Sequence, residues 1–109
     1  MNVQFAGFKE NVLTFECDES VAAGDLVKMY SSGTVTKASN GDQFIGVCLA
    51  TREGYAAIQL EGYIESAKFG AVNVGYNKLV SAAAGVKTSN DGIDRLVIYV
   101  DESTVGFIL

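Results

Sequence analysis

Apolar and polar residues alternate along most of this chain in short runs, and Gly, Asn, Asp and Ser separate the runs. A period of two is the mark of a strand, because successive side chains point to opposite faces. In residues 12–17, Leu13, Phe15 and Cys17 fall on one side, with Thr14 and Glu16 on the other. Val, Thr, Tyr, Phe and Ile dominate such runs, and these residues pack well on a pleated surface. The same reading predicts strands over 26–30 and 34–38, reversed by Ser31-Ser32-Gly33. Asn40-Gly41-Asp42 is a turn, since Asn and Gly tolerate positive φ. Residues 44–51 are apolar on both faces, with Ile45, Val47 and Leu49 one way and Phe44, Cys48 and Ala50 the other, which predicts a central strand. Together with 55–60 and 63–68, turned at Arg52-Glu53-Gly54 and broken at Glu61-Gly62, it predicts an antiparallel meander.

Residues 69–76 form a Gly-punctuated connection. Short strands are expected at 77–81 and 86–88, around a segment whose Ala82-Ala83-Ala84 is too short to nucleate a helix. After the turn Ser89-Asn90-Asp91-Gly92, residues 96–100 and 104–109 pair around Asp101-Glu102-Ser103, the last run as a docked strand. The expected architecture is all-β: one compact β-barrel or β-sandwich of about nine short, mostly antiparallel strands. Residues 12–109 make up this single barrel-like domain, and residues 1–11 an N-terminal arm. A weak internal repeat supports it. Ala23-Gly24-Asp25-Leu26-Val27 leads to Gly33-Thr34-Val35-Thr36, and Val74-Gly75-Tyr76-Asn77-Lys78-Leu79-Val80 leads to Gly85-Val86-Lys87-Thr88. Ile45-Gly46-Val47 and Val105-Gly106-Phe107 follow the two copies, so two related hairpin units are expected to close one barrel.

Composition narrows the chemistry. The 109 residues fit one domain, and the absence of proline suits unbroken ladders. The absence of histidine removes His-dependent triads, an imidazole base and His-dependent zinc sites. The apolar fraction of 49% against 19% charged is high for a small domain, and such domains often hide the surplus in a homo-oligomer. The net charge of −5 disfavours nucleic acid and anionic membrane surfaces as partners. In residues 1–25 one base, Lys9, stands against Glu10, Glu16, Asp18, Glu19 and Asp25, so this quarter carries −4 of the total. It reads as a solvated acidic turn or as a contact to a basic partner. No run approaches the ~18–20 apolar residues of a membrane helix, and residues 1–7 do not read as a secretion leader. Cys17 and Cys48 read as free, buried thiols.

The search for reactive groups is mostly negative. Cys17 and Cys48 lack a second pair of zinc ligands, and no glycine run matches a phosphate-binding loop. Glu16, Asp18, Glu19 and Asp25 lack the layout of a calcium loop. The carboxylate pairs closest in sequence, Glu61 with Glu65 and Asp91 with Asp94, would need a desolvating cleft to act as acid and base. No catalytic, cofactor or metal residue is therefore expected, nor an enzymatic role. The aromatics are not interleaved with bases as in RNA-binding sheets, and read as core with some interface tyrosines. Phe5 and Phe8, flanking Ala6-Gly7 beside Lys9, are the candidate interface residues of the arm.

The order of motifs resembles a known family. Ser20-Val21-Ala22-Ala23-Gly24-Asp25-Leu26-Val27 is followed by Gly33-Thr34-Val35-Thr36-Lys37-Ala38 and Asp42-Gln43-Phe44-Ile45-Gly46-Val47. Gly62-Tyr63-Ile64-Glu65, Val74-Gly75 and a closing hairpin complete it. Over about residues 12–109 this is similar to the β-rich capsid decoration, or head-stabilising, proteins of tailed bacteriophages and prophages. The resemblance implies a non-enzymatic virion protein, made in the host cytoplasm and bound to the outer capsid surface. It implies a homotrimer that braces the major capsid protein, and contact with the shell through an arm, here residues 1–10 with Phe5, Phe8 and Lys9. Other readings are a tail, baseplate or head-fibre component, or a small carbohydrate- or peptide-binding module.

Overall fold

The structure is a computed structural model, and it describes residues 11–82 and 85–109. Phe5, Phe8 and Lys9, and the arm they belong to up to residue 10, lie outside the described residues, as do Ala83 and Ala84. The described chain is all-β and measures 38 × 29 × 20 Å along its principal axes. Its strands are β1 (Asn11–Cys17), β2 (Leu26–Ser31), β3 (Thr34–Lys37), β4 (Gly46–Arg52), β5 (Tyr55–Glu61), β6 (Tyr63–Ala67), β7 (Gly75–Ala82), β8 (Gly85–Thr88), β9 (Ile93–Val100) and β10 (Thr104–Ile108). That makes ten strands among the described residues, against the expected total of about nine, one for each of the runs set out above.

The strands form two layers. The first is a closed barrel of order β1-β3-β2-β4-β5, shut by antiparallel pairing of β1 with β5 and a short parallel pairing of β1 with β3. The second is a five-stranded antiparallel sheet of order β6-β10-β9-β7-β8. It curls until Lys68, just past β6, bridges Val86 of β8. The expected three-strand meander holds only for β4 and β5. At Gly62, with φ at 107°, the chain leaves the barrel, and β6 pairs with β10. The two repeat hairpins both form, as β2–β3 and β7–β8, but they do not close one barrel: each belongs to its own layer.

Two apolar clusters follow from this division. Inside the barrel lie Val21, Val27, Val35, Cys48, Ala56 and Ile58, with Phe15, Cys17, Ile45 and Leu60 packed against them. Phe15 and Cys17 face inward as the alternation requires, opposite Ala56 and Val35, whereas Leu13, paired with Ile58, is 50% exposed. The second cluster joins the layers: Leu26, Ala38 and Phe44 from the barrel side meet Ile64, Val72, Leu79, Val86, Val97, Val105 and Phe107. Phe44 is the hinge pin of this contact. Its ring lies 5.9 Å from that of Phe107, and Arg95 stacks 5.0 Å over it while donating to the Phe44 carbonyl at 2.7 Å.

The run 44–51 departs from simple alternation. The strand starts only at Gly46, so Phe44 reaches the second cluster while Cys48 enters the barrel. A β-bulge between Cys48 and Ala50 then resets the pleat, and Leu49, expected to share a face with Ile45 and Val47, is exposed. The expected centrality is real: β4 lies between β2 and β5, and its residues Val47 and Cys48 face different cores.

Candidate functional site

The residues singled out by sequence as possible chemistry are not brought together. Cys48 is buried and Cys17 half-buried, both free thiols of the barrel cluster. Burial pushes the Cys48 thiol up from its ordinary value, which keeps it protonated and unreactive. Asp18 accepts hydrogen bonds from Ser20 and from Thr36 Oγ1, the latter at 2.6 Å, and these bonds lower its pKa, Ser20 first. Asp25 accepts from the Ala22 amide at 2.9 Å and lies 3.8 Å from Lys37. These acids thus organise the turn from β1 to β2, each with its own partners. Among the described residues no three Cys, Asp or Glu side chains converge into a metal-binding group.

The carboxylate pairs are also separated by their roles. Glu61 ends β5 exposed, whereas Glu65 sits on β6 and accepts from the Tyr63 hydroxyl at 2.8 Å. Asp94 lies 3.7 Å from Lys78 across β9 and β7, and Asp91 stands exposed in the turn before them. A cleft of about 240 Å³ runs between the layers, lined by small residues such as Ala23, Gly24, Ser66, Ser81 and Gly85. None of these carboxylate pairs opens into it.

The feature that stands out is the outer face of the second sheet. Inward positions carry Val97, Val105 and Phe107, all buried, so the alternate positions point away from the barrel. Tyr76 pairs with Leu96, Leu96 with Ile108, and Ile108 with Tyr63. Four apolar or aromatic side chains therefore stand in one row across β7, β9, β10 and β6. Tyr76 is 75% exposed, and Val74, just before β7, is 68% exposed. Beside the row, Gly106 pairs with Glu65 on one side and Tyr99 on the other. A Cβ on Gly106 would run into the Tyr63 hydroxyl and ring, so the glycine is the seat on which this ring lies. Burial, and then the bond to Glu65, push the Tyr63 phenol far above its ordinary value. The Tyr99 hydroxyl donates to Asp101 at 2.8 Å, which raises Tyr99 and contributes to lowering Asp101.

A second apolar surface lies on the barrel wall. Thr14, Ala57 and Ala50 are in register on the outside of β1, β5 and β4. Leu49, lifted out by the bulge, and Tyr55, next along the face, flank these small side chains at 45% and 51% exposure. Neither surface carries a chemical motif. Sequence reading named the tyrosines without placing them on a face, because the cross-strand row depends on the pairing of β6 with β10, which no local pattern encodes.

Comparison with known proteins found no matching family model, no matching curated protein and no matching solved structure.

Proposed function

We propose that this chain is a non-enzymatic structural protein of a tailed-phage particle that binds the outer capsid surface, stabilises the shell and self-associates, as a homotrimer. The observation that carries the reading is the apolar row Tyr76–Leu96–Ile108–Tyr63 on the outer face of the second sheet, with Tyr76 exposed, the other three half-buried, and exposed Val74 beside it. Apolar side chains gathered on one outer face in this way suit adhesion to another protein. The resemblance of the motif order to that of capsid decoration proteins is what points to the major capsid protein as partner and to the virion as location. A brace needs shape, contact surface and resistance to unfolding, and no reactive side chain. The acidic surface keeps it soluble and repels stray nucleic acid. Residues 1–10, with Phe5, Phe8 and Lys9, contribute the contact to the shell in this reading.

The test is co-sedimentation of purified chain with expanded capsids of the phage that encodes it, prepared without the protein. Saturable binding, and capsids that withstand higher temperature once coated, are expected. A chain that stays in the supernatant at every concentration refutes the reading. Removing residues 1–10 is expected to abolish binding and leave the fold, read by circular dichroism; unchanged binding removes the arm from the mechanism.

A further inference from the structure

Asn40-Gly41 is the only Asn-Gly pair in the sequence. It occupies the middle of a four-residue turn, closed by the Asp42 amide donating to the Ser39 carbonyl at 3.0 Å, with Gly41 at φ 91°. Glycine at that position with positive φ is the mark of a type II turn. Asn40 is exposed, so water reaches its side chain. The backbone nitrogen that follows an asparagine can attack the side-chain carbonyl carbon and close a five-membered ring. Glycine, with no Cβ, hinders that attack least. The other described asparagines, Asn11, Asn73, Asn77 and Asn90, precede Val, Val, Lys and Asp, which all carry a Cβ.

The turn is held from three sides. The Asp42 carboxylate accepts from the Ser39 amide at 2.8 Å and from Lys28 Nζ at 2.7 Å. The Gly41 amide donates to the Ser81 carbonyl at 2.7 Å, and the Ser81 amide donates to the Asp42 carbonyl at 2.8 Å. Ser81 belongs to β7, and its hydroxyl donates to the Ala38 carbonyl at 3.4 Å. The turn that leaves the barrel after β3 is therefore stitched to the second sheet through the same nitrogen that would have to attack.

We propose that Asn40 is a deamidation site gated by the seam between the two layers, silent while the Gly41–Ser81 bond is closed and active when it opens. In the step, the Gly41 nitrogen gives up its proton and bonds to Asn40 Cγ. The side-chain nitrogen takes up a proton and leaves as ammonia, and a cyclic imide remains. Water then adds to either imide carbonyl and opens the ring, giving aspartate or isoaspartate at position 40. One water is consumed and one ammonia released. The closed seam opposes this twice: the proton to be lost is engaged by the Ser81 carbonyl, and the pinned backbone cannot turn to bring the nitrogen onto Cγ. The product in turn works against the seam. Isoaspartate adds one methylene to the main chain inside a turn closed over four residues, and its carboxylate stands beside that of Asp42, so a chain that has opened once reopens more readily.

The test incubates the full-length chain beside a synthetic peptide of residues 36–46 in mildly alkaline buffer. Position 40 is read by peptide mapping and mass spectrometry, with isoaspartate detected by an isoaspartyl methyltransferase. The peptide is expected to convert faster than the chain by about tenfold or more. Urea below the unfolding transition is expected to speed conversion in the chain, in step with hydrogen exchange of the Gly41 amide. Lys28→Gln frees one side of the Asp42 brace and is expected to raise the rate severalfold, with circular dichroism checking the fold. It also removes a positive charge that would favour loss of the amide proton, so a faster rate reports loosening of the turn. The converted chain, separated by ion exchange, is expected to unfold at lower urea than the unconverted one. A peptide that leaves Asn40 intact overturns the site. A chain that converts as fast as the peptide, or whose conversion in urea follows only the globally unfolded fraction, overturns the gate. Equal midpoints for converted and unconverted chain overturn the weakening of the seam.

Discussion

Gly46 offers a sharp test of the packing. It opens β4 at the point where the barrel is pressed between β2 and β5, pairing with Val27. Its φ is not in the left-handed region, so alanine would be free of backbone strain there. The obstacle is space. A Cβ would collide with the Gln59 carbonyl oxygen and lie 3.0 Å from Ile58 Cγ2 and 3.1 Å from the Gln59 carbonyl carbon. The carbonyl belongs to the backbone of the neighbouring strand and cannot rotate aside, so β4 and β5 must separate. Overpacking of this kind costs typically 1–3 kcal/mol, and the rigid backbone places Gly46→Ala near the top, about 3 kcal/mol. For a domain of this size that lowers Tm by about 10–20 °C. Gly24→Ala is the control: its Cβ has nothing within 4 Å, and only φ at 92° opposes it, for about 1 kcal/mol. Urea unfolding followed by circular dichroism measures both. A Gly46→Ala protein within 0.5 kcal/mol of the original, or one less affected than Gly24→Ala, refutes the steric account.

Three further outcomes are expected. The β4–β5 hairpin turns through Glu53 at φ 51° and Gly54 at φ 84°, a pair of conformations that Asn-Gly adopts more readily, so Glu53→Asn stabilises the fold by about 0.5 kcal/mol, read as a higher urea midpoint. Asp18, Asp42 and Asp101 are all held below their ordinary pKa, through Ser20, Lys28 and the Ser103 amide respectively as first cause. Depressed native values mean that the stability they contribute is present above the unfolded pKa, near 3.8, and is lost as pH falls through the native values; urea midpoints from pH 6 to 2 will follow this, and Asp101→Asn will flatten the fall. Cys48, buried with its thiol protonated, will react with an aromatic disulfide reagent at neutral pH only as fast as the barrel opens, so urea at sub-denaturing levels accelerates its labelling.

Strands and turns were legible because they are local. Period-two runs and the Gly-containing turns at Gly33, Gly41 and Gly54 placed nearly every element, and positive φ at all three explains why glycine stands there. Two local exceptions misled. The bulge after Cys48 moved Leu49 out of its expected face, and the late start of β4 freed Phe44 to join the layers. Neither leaves a mark in the alternation, since both faces of that run are apolar. The division into a barrel and a second sheet was illegible for a different reason. It depends on β6 pairing with β10, some forty residues away, and on Gly62 sending the chain there rather than back along β5. The row Tyr76–Leu96–Ile108–Tyr63 exists only in that register, so its members could be named as apolar but not assembled. The row Thr14–Ala57–Ala50 on the barrel wall needed the register of β1, β5 and β4 in the same way.

The account stands most directly on binding to the shell. Expanded capsids prepared without this protein, mixed with increasing amounts of the purified full-length chain and pelleted, measure it in one titration. Saturation at a fixed number of copies per capsid subunit, with an upward shift in the temperature at which the coated shells break, is the predicted result. Shells that pellet bare, and break at the same temperature with or without the chain, would contradict it.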